Sequence, residues 1–553
     1  AALISNKIIP LISFQIKYLP PIFIRHFIHF IIFKRYFFTF VVKIVQPFSI
    51  FLSHFILVIF LTNYPIIFSL YFFFKNCLNK CIIITVFQIG ELIMYNLDFN
   101  VPAKLHFTGI GGISMSALAE IMISRGFTIV GSDSRESEIT KHLESLGATI
   151  YYGQKAGNVS PDTEVLIYTA AVKEDNPELV AAKSMNIPLL TRAEFLGQIM
   201  LNYPMAVGVA GTHGKTTTTS MLSQIMLQAN TDPTILVGGI MPAIKGNTRV
   251  GHSDKLITEA CEYTNSFLSF KPNLAIILNV AADHLDFFKD LDDIRHSFRK
   301  YAELVPADGA LVINSDIDNL EYFTEGLPCT VITVGSDPSK SMYSATNIEY
   351  DEFARASYDL VVNNKVKTHI KLHVTGEHNI YNSLAAIAAA HFMNISDEDI
   401  ISGLTQYGGT DRRFQYKGKI GDVTIIDDYA HHPDEITATL KTAKHYPHKK
   451  MWVVFQPHTY SRTKALLPEF AKALKEADAV VLADIYAARE KNTLGISSKD
   501  VMNEIKKLGG TAYYFPSFSE IENFLLENCE PDDLLITMGA GDVYKIGENL
   551  LGK

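Results

Sequence analysis

Met205-Ala-Val-Gly-Val-Ala-Gly-Thr-His-Gly-Lys-Thr-Thr217 is the stretch on which the reading of this chain turns. A short apolar, β-branched run enters a loop bounded by Gly211 and Gly214, and the loop passes directly into a threonine-rich segment with helical potential to residue 228. Backbone N–H groups of such a strand–loop–helix junction converge on phosphate oxygens, Lys215 places a mobile cation on the β and γ oxygens, and the Thr216 hydroxyl can ligate Mg²⁺. Gly211, Thr212, His213, Gly214, Lys215, Thr216 and Thr217 are therefore the candidate site for a nucleoside triphosphate. The loop is not a strict Walker A sequence, because Val209 stands five residues before Gly214. GKTT at a strand-to-helix junction is nonetheless far more specific than a turn of coincidence.

Working outward, apolar strands are expected at 255–258, 274–279 and 310–314, and an alanine-rich helix at 382–393. Glu259 and the pair Asp283 and His284 follow strand ends, where ligands bind in open α/β sheets. Magnesium prefers oxygen donors, so the carboxylate is the stronger candidate; a solitary histidine is more often structural. Upstream, a strand at 105–108 opens onto Gly109-Ile-Gly111-Gly112-Ile-Ser114-Met115, then a helix at 116–125, a strand at 128–130 and Asp133. This second glycine loop reads as a site for a dinucleotide, for another nucleoside diphosphate, or as a structural turn. Further strands are expected at 164–168 and 187–190.

Beyond Gly408, Gly409 and the charged turn Asp411, Arg412, Arg413, a third set of strands is expected at 423–427, 451–456, 479–483 and 534–538. Two polar loops follow strands there. One is Asp427-Asp428-Tyr429-Ala-His431-His432-Pro433; the other is Gln456-Pro457-His458-Thr459-Tyr460-Ser461-Arg462-Thr463. Two histidine-bearing loops at strand ends read as one face of a site. The pattern predicts an α/β protein of three consecutive domains: Rossmann-like at 94–203, P-loop ATPase-like at 204–409 and Rossmann-like at 410–553.

Composition narrows the function. The chain has 553 residues, 48% apolar, with a formal net charge of −9. An acidic balance argues against a protein that reads a nucleic-acid backbone. Five cysteines without a CxxC pair suit a reducing compartment and no structural zinc cluster. Residues 1–93 differ from the rest: they hold eight Lys and Arg against the single acid Glu91, and 17 of the 35 phenylalanines, whereas the remaining residues carry 41 bases against 57 acids. Residues 44–74 contain no charged side chain, longer than the roughly 20 residues of a membrane helix. Pro47 and Pro65 interrupt that run, no signal-peptide pattern is present, and the first methionine is Met94. The expectation is that 1–93 is translated upstream sequence from an AT-rich genome; the alternative is a membrane anchor of one or two spans.

Taken in order, HFTGIGGISMSALAE (106–120), GTHGKTTTT (211–219), EACEYTNSFL (259–268), NVAADHLDFF (279–288), GEHNIYNSLAA (376–386), DRRF (411–414), DDYAHHPDEI (427–436) and FQPHTYSRT (455–463) resemble the Mur ligase family. The resemblance implies a UDP-sugar domain, a central ATPase domain and a C-terminal domain for the incoming amino acid. It implies that Gly109, Gly111, Gly112, Ser114, Met115 and Asp133 hold the UDP group, and that Thr216, Glu259 and His284 bind Mg²⁺. By the same carry-over Asn379, Asn382, Arg412 and Asp427 join the ATP site, with Arg412 or Arg413 reaching the nucleotide from the interdomain hinge. Lys215, His431, His458 and Arg462 are the implied catalytic residues, and Asp427 and Tyr429 face the same reacting end.

The implied activity is ATP-dependent amide formation between L-alanine and the lactyl carboxylate of UDP-N-acetylmuramate, through an acyl phosphate, in peptidoglycan precursor synthesis. ATP and Mg²⁺ are the implied cofactors, the cytoplasm the implied location, and monomer and homodimer both stay open; neither nucleic acid nor a membrane is required by 94–553. The rival readings are a recycling ligase that adds a whole peptide to the same sugar, and a membrane-tethered nucleotide-binding module. Thr459 departs from the residue several members carry there, and no lysine is assigned to the carbamoylated position of sister ligases.

Overall fold

The computed structural model describes residues 95–284, 287–488 and 490–553, so both readings of residues 1–93 lie outside the described residues. The strand Lys104–Thr108 (β1) is buried on both faces from Leu105 onward, with apolar Leu105 and Phe107 on one face and His106 and Thr108 on the other. Such a strand belongs at the centre of a parallel sheet covered on both sides. It pairs in parallel with Thr128–Asp133 (β2) and Val165–Tyr168 (β4), and Thr149–Tyr152 (β3) and Leu189–Thr191 (β5) complete the order β3-β2-β1-β4-β5. Parallel neighbours need crossovers; Ile113–Ser124 (α1), Glu138–Ser145 (α2) and Pro177–Ser184 (α3) supply three of them, a short turn at Ala156–Asn158 lies in the fourth, and Arg192–Met200 (α4) follows β5.

Under the glycine loop of this sheet, Glu178 is fully buried at the start of α3. Its carboxylate accepts hydrogen bonds from the hydroxyls of Thr108 and Ser132, both at 2.7 Å, and from Asn158 at 2.7 Å, with His106 Nε2 at 3.2 Å. The ends of β1 and β2 are thus tied to one anion. Burial alone would raise that carboxyl; the His106, Ser132, Asn158 and Thr108 hydrogen bonds prevail and hold it below the usual carboxylate range.

The second sheet starts at Met205–Ala210 (β6), which feeds the helix Lys215–Gln228 (α5). Then follow Thr234–Met241 (β7), Gly246–Arg249 (β8), Lys255–Glu259 (β9), Leu274–Ile277 (β10), Leu291–Ala302 (α6), Ala310–Asn314 (β11), Leu320–Thr324 (α7) and Thr330–Val334 (β12). Tyr343–Tyr350 (β13), Arg355–Val362 (β14), Lys365–Thr375 (β15) and two helices, His378–Phe392 (α8) and Asp397–Gln406 (α9), complete this part. Ten strands run β15-β14-β13-β12-β11-β10-β6-β9-β7-β8. The centre is parallel, and β13 to β15 form an antiparallel extension. Sequence reading by apolar runs does not find that extension. β14 alternates buried and half-buried residues, the signature of a strand covered on one face only.

α8 begins a turn earlier than expected, at His378 rather than 382, so Asn379 and Asn382 lie three apart on one helical face. Its alanines 385, 386, 388, 389 and 390 are wholly buried, letting the helix pack closely on α5 and the sheet.

The third sheet runs β16-β17-β21-β18-β19-β20, built from Gln415–Ile420 (β16), Val423–Asp428 (β17), Met451–Phe455 (β18), Ala479–Leu482 (β19), Ala512–Tyr514 (β20) and Leu534–Met538 (β21). Only the edge strand β16 is antiparallel to its neighbour. Its helices are Pro433–Ala443 (α10), Tyr460–Ala465 (α11), Leu467–Leu474 (α12), Ser498–Lys507 (α13), Phe518–Asn528 (α14) and Tyr544–Leu550 (α15). Among the described residues no helix is long and apolar enough to cross a membrane, and Cys261, Cys329 and Cys529 are free thiols.

Candidate functional site

Both glycine loops end in helices that start without a capping side chain and without an acid in the first turn, α1 after Gly112 and α5 after Gly214. Their first N–H groups are therefore left for an external acceptor. In the first loop, Asp133 at the end of β2 accepts the Gly111 N–H at 2.8 Å, and Ser132 O accepts the N–H groups of Gly109 and Ile110. Ser114 is exposed beside this opening. Met115 is not: it is 2% exposed and packs in the core beneath the loop. It lies on the inward face of α1, and its N–H bonds Gly112 O at 2.9 Å.

The second loop is tied by an amide. Asn279 Oδ1 accepts the His213 N–H at 2.8 Å, and Asn279 Nδ2 donates to His213 O at 3.0 Å. Gly214 has φ +86°, and a side chain there would meet Asn382 Oδ1 at 2.5 Å, so α8 closes directly against the loop. Asn379 donates to Thr375 O at 2.7 Å and accepts from Asn382 Nδ2 at 2.9 Å. The Lys215 ammonium donates to Gly211 O at 2.5 Å, Thr212 O at 3.1 Å and Glu262 Oε2 at 2.9 Å. Burial opposes its charge, yet the carboxylate of Glu262 prevails and holds the ammonium above the ordinary lysine range.

Thr216 is buried in the first turn of α5, and Glu259 closes β9, where it accepts the Gly238 N–H at 2.5 Å. His284 adopts φ +53° and lies tilted by 32° against Tyr263, 4.6 Å between centroids, with Nε2 3.8 Å from Glu262. A hydroxyl, carboxylates and one imidazole around the cation Lys215 fit a Mg²⁺ ion that keeps phosphate and water in its remaining positions.

A cavity of about 570 Å³ opens beside this loop, walled by His213, Asn279, His378, Asn382, Arg413 and Asp428 among others. Its far wall belongs to the third sheet. Asp428 receives the N–H groups of Phe414 and Ala430 at 2.8 and 2.7 Å, and burial pushes its carboxyl up to about 6. Arg412 and Asp427, the two residues of this part that the resemblance carries to the ATP site, are engaged with each other at 3.0 Å. Arg412 also donates to Gly539 O at 2.6 Å and lies over the Tyr429 and Tyr544 rings. Asp427, fully buried, accepts in addition from Thr537 at 2.7 Å. Arg413 and Asp428, one residue on in each case, line the cavity instead.

His431, His458 and Arg462 come together at the strand ends of the third sheet. The His431 and His458 rings are 5.7 Å apart, and His458 stacks on Tyr486 at 5.6 Å. Burial, with His431 and Arg462 nearby, depresses His458 to about 4, so it is neutral at pH 7. Arg462 reaches back to Asp283 at 3.5 Å. Burial would raise Asp283; His284 and Arg462 hold it below the usual range. Glu435 lies between His213 Nδ1 at 3.3 Å and His431 Nδ1 at 3.2 Å. These contacts join the second and third sheets directly.

Sequence reading passed over Glu262 and Glu435 as site residues and placed Asp283 at a ligand-facing strand end without a role. Glu262 had a visible signal, a second carboxylate three residues after Glu259 in the same strand-end motif. Glu435 had none, since an acid in the first turn of α10 is also an ordinary partner of the helix dipole.

Three family models match in succession: "Mur ligase family, catalytic domain" over 104–204, "Mur ligase middle domain" over 209–390 and "Mur ligase, glutamate ligase domain" over 412–541. A UDP-N-acetylmuramate–L-alanine ligase of Lachnospira eligens is 59% identical over 458 residues, 83% of this chain and 100% of that protein. The protein of the same name in Agathobacter rectalis is 58% identical over 460 residues, with the same coverage. The crystal structure of the UDP-N-acetylmuramate–alanine ligase of Thermotoga maritima superposes with a TM-score of 0.67 at 30% identity, covering 81% of this chain and 98% of that one.

Proposed function

The chain belongs to the Mur ligase family, and from that premise we propose that it joins L-alanine to the lactyl carboxylate of UDP-N-acetylmuramate at the expense of ATP. The observation that carries the proposal is the convergence of Lys215, Glu262, His284 and Asp283 of the second sheet with Arg462 and His458 of the third. Phosphoryl-transfer machinery and the amino-acid face are thereby adjacent. The three parts are assigned near 94–203, 204–409 and 410–553.

A carboxylate becomes a competent acyl donor only when one oxygen can leave. Its attack on the γ-phosphorus of ATP breaks the β–γ bridge and yields an acyl phosphate and ADP. Lys215 is positioned to leave its loop carbonyls for the transferring oxygens, and Glu262 keeps it charged. Thr216 and Glu259, with His284, would hold Mg²⁺, which when bound neutralises phosphate charge. The amine of alanine, with a pKa of roughly 8, then attacks the acyl carbon, and inorganic phosphate leaves. Neutral His458 can accept a hydrogen bond from the incoming amine, and Arg462 can pair with its carboxylate. Arg413 faces the nucleotide in place of Arg412. The first glycine loop holds the UDP group by Gly109, Gly111, Gly112 and Ser114, and the nucleotide substrates place the reaction in the cytoplasm.

The test is phosphate release by the full chain with UDP-N-acetylmuramate, ATP and Mg²⁺ against a panel of amino acids and the cell-wall tripeptide. L-Alanine should be the best acceptor. Faster release with the tripeptide would transfer the assignment to the recycling reaction.

A further inference from the structure

His213, in the phosphate loop, and His432 and Asp434, at the start of α10, each bring one donor atom to within 4.8 Å of the other two. His432 is 5% exposed. Its Nε2 and that of His213 are both buried without a hydrogen-bond partner. A buried imidazole nitrogen left unpaired is costly unless something completes it. Two such nitrogens on rings whose centroids are 5.5 Å apart, with a carboxylate in the same cluster, point to a shared ligand.

The contact of His213 has the form found around metal-bound imidazoles. Glu435 Oε1 holds Nδ1 of His213 at 3.3 Å, which orients the ring and raises the basicity of its other nitrogen. Nδ1 of His432 receives only one long hydrogen bond, from the Asp434 N–H at 3.3 Å. Asp434 is exposed, and its carboxylate lies 3.6 Å from His432 Nδ1. Tetrahedral coordination with bonds of ~2.1 Å needs donors roughly 3.4 Å apart, so modest side-chain rotations close the set. Two nitrogens and one oxygen suit zinc or a neighbouring transition metal and not magnesium, which favours oxygen alone.

We propose that His213, His432 and Asp434 form a site for a divalent transition-metal ion, zinc by its donor chemistry, with water in the fourth position. The site is separate from the Thr216, Glu259 and His284 set. It bridges the second and third parts of the chain, beside the contacts His213 to Glu435 and Asp283 to Arg462. Occupancy clasps the phosphate loop to α10 and opposes separation of the two parts.

The full chain, stripped with chelator, is titrated with Zn²⁺ by calorimetry in millimolar Mg²⁺, and Co²⁺ is used to read ligand geometry from its visible bands. One tight Zn²⁺ is expected in the parent and in Glu259→Gln and Cys261→Ser. Affinity should fall at least 100-fold in His432→Ala and about 10-fold in Asp434→Asn, the latter a surface change that leaves the fold intact, and the four-coordinate Co²⁺ spectrum should vanish in His432→Ala. Unchanged Zn²⁺ affinity in Asp434→Asn, or loss of the tight ion in Glu259→Gln or Cys261→Ser, would overturn the assignment.

Discussion

The two glycine loops share a local design and differ in what their neighbours bring to the mouth. Each joins a buried parallel strand to an uncapped helix. In the first, the tie across the loop is a carboxylate, Asp133 on the Gly111 N–H. In the second it is a neutral amide, Asn279 on both polar groups of His213, and a lysine stands at the opening. A carboxylate beside a helix N-terminus opposes part of the field that attracts anions, whereas an amide leaves it intact. The two loops therefore differ in the charge of the residue that ties them. The second loop suits a triphosphate, and the first a less demanding anion.

That contrast is broken most severely at Lys215. Lys215→Ala should reduce acyl-phosphate formation on the order of 10³-fold or more, as removal of a positioned charge does at phosphoryl-transfer sites. Positional isotope exchange in ATP with the UDP-sugar but no alanine reads this step, and exchange at the parent rate would refute the role. His458→Ala should leave that exchange intact while raising the KM for alanine.

Loss of Glu262 should be the next largest effect. Glu262→Gln is expected to lower kcat about 10²-fold, because it frees the lysine from its orienting partner. The alkaline limb of the pH–rate profile should also move to lower pH, since the carboxylate is what raises the lysine pKa. An unshifted limb would show that Glu262 acts only in packing.

Exchanging the two ties sharpens the comparison. Asn279→Asp should raise the KM for ATP roughly 10-fold by setting a negative charge beneath the phosphate loop, and leave the KM for the UDP-sugar alone. Asp133→Asn should leave ATP alone. Equal effects of Asn279→Asp on both substrates would mean that the tie transmits strain and not charge.

The arginine pair should divide differently. Arg412→Ala strips the partner from buried Asp427 and should cost about 3 kcal/mol of stability, seen as a lower Tm with near-parental KM for ATP. Arg413→Ala should weaken ATP several-fold with little change in Tm. The reverse pattern would restore Arg412 to the nucleotide.

Smallest is the acid dependence. His378 and His458 sit near 4 in the folded chain, chiefly through burial, against about 6.5 when unfolded. The unfolded chain therefore binds more protons between these values, so stability falls as pH drops from about 6.5 to 4 and is level above that window. The fall in Tm over this range should be shallower in His458→Gln; identical curves would remove His458 from the account.

How much was legible follows from the kind of information each feature needs. Strand–loop–helix alternation depends on residues adjacent in the chain, and strands such as 310–314 and 534–538 form where the apolar runs lie. The order of glycine loops, GKTT and histidine-bearing strand ends was enough to point to the family and, on the cavity wall, to His213, Gly214, Thr217, Asn379 and Asn382. Strands β13 to β15 escaped, because a strand covered on one face needs only alternate apolar residues and looks polar when read linearly.

What the chain alone could not decide was which of two neighbouring residues faces outward. Arg412 against Arg413, and Asp427 against Asp428, are consecutive pairs of the same chemistry, and strand pleat and a left-handed turn at Arg412 send one member inward and the other into the cavity. The sequence by itself determined the residue types, their order and the chemistry they allow. Only the tertiary structure placed Glu262 on Lys215, 47 residues away across neighbouring strands of one sheet, and His213 against Glu435 and His432, which meet through the packing of separate sheets.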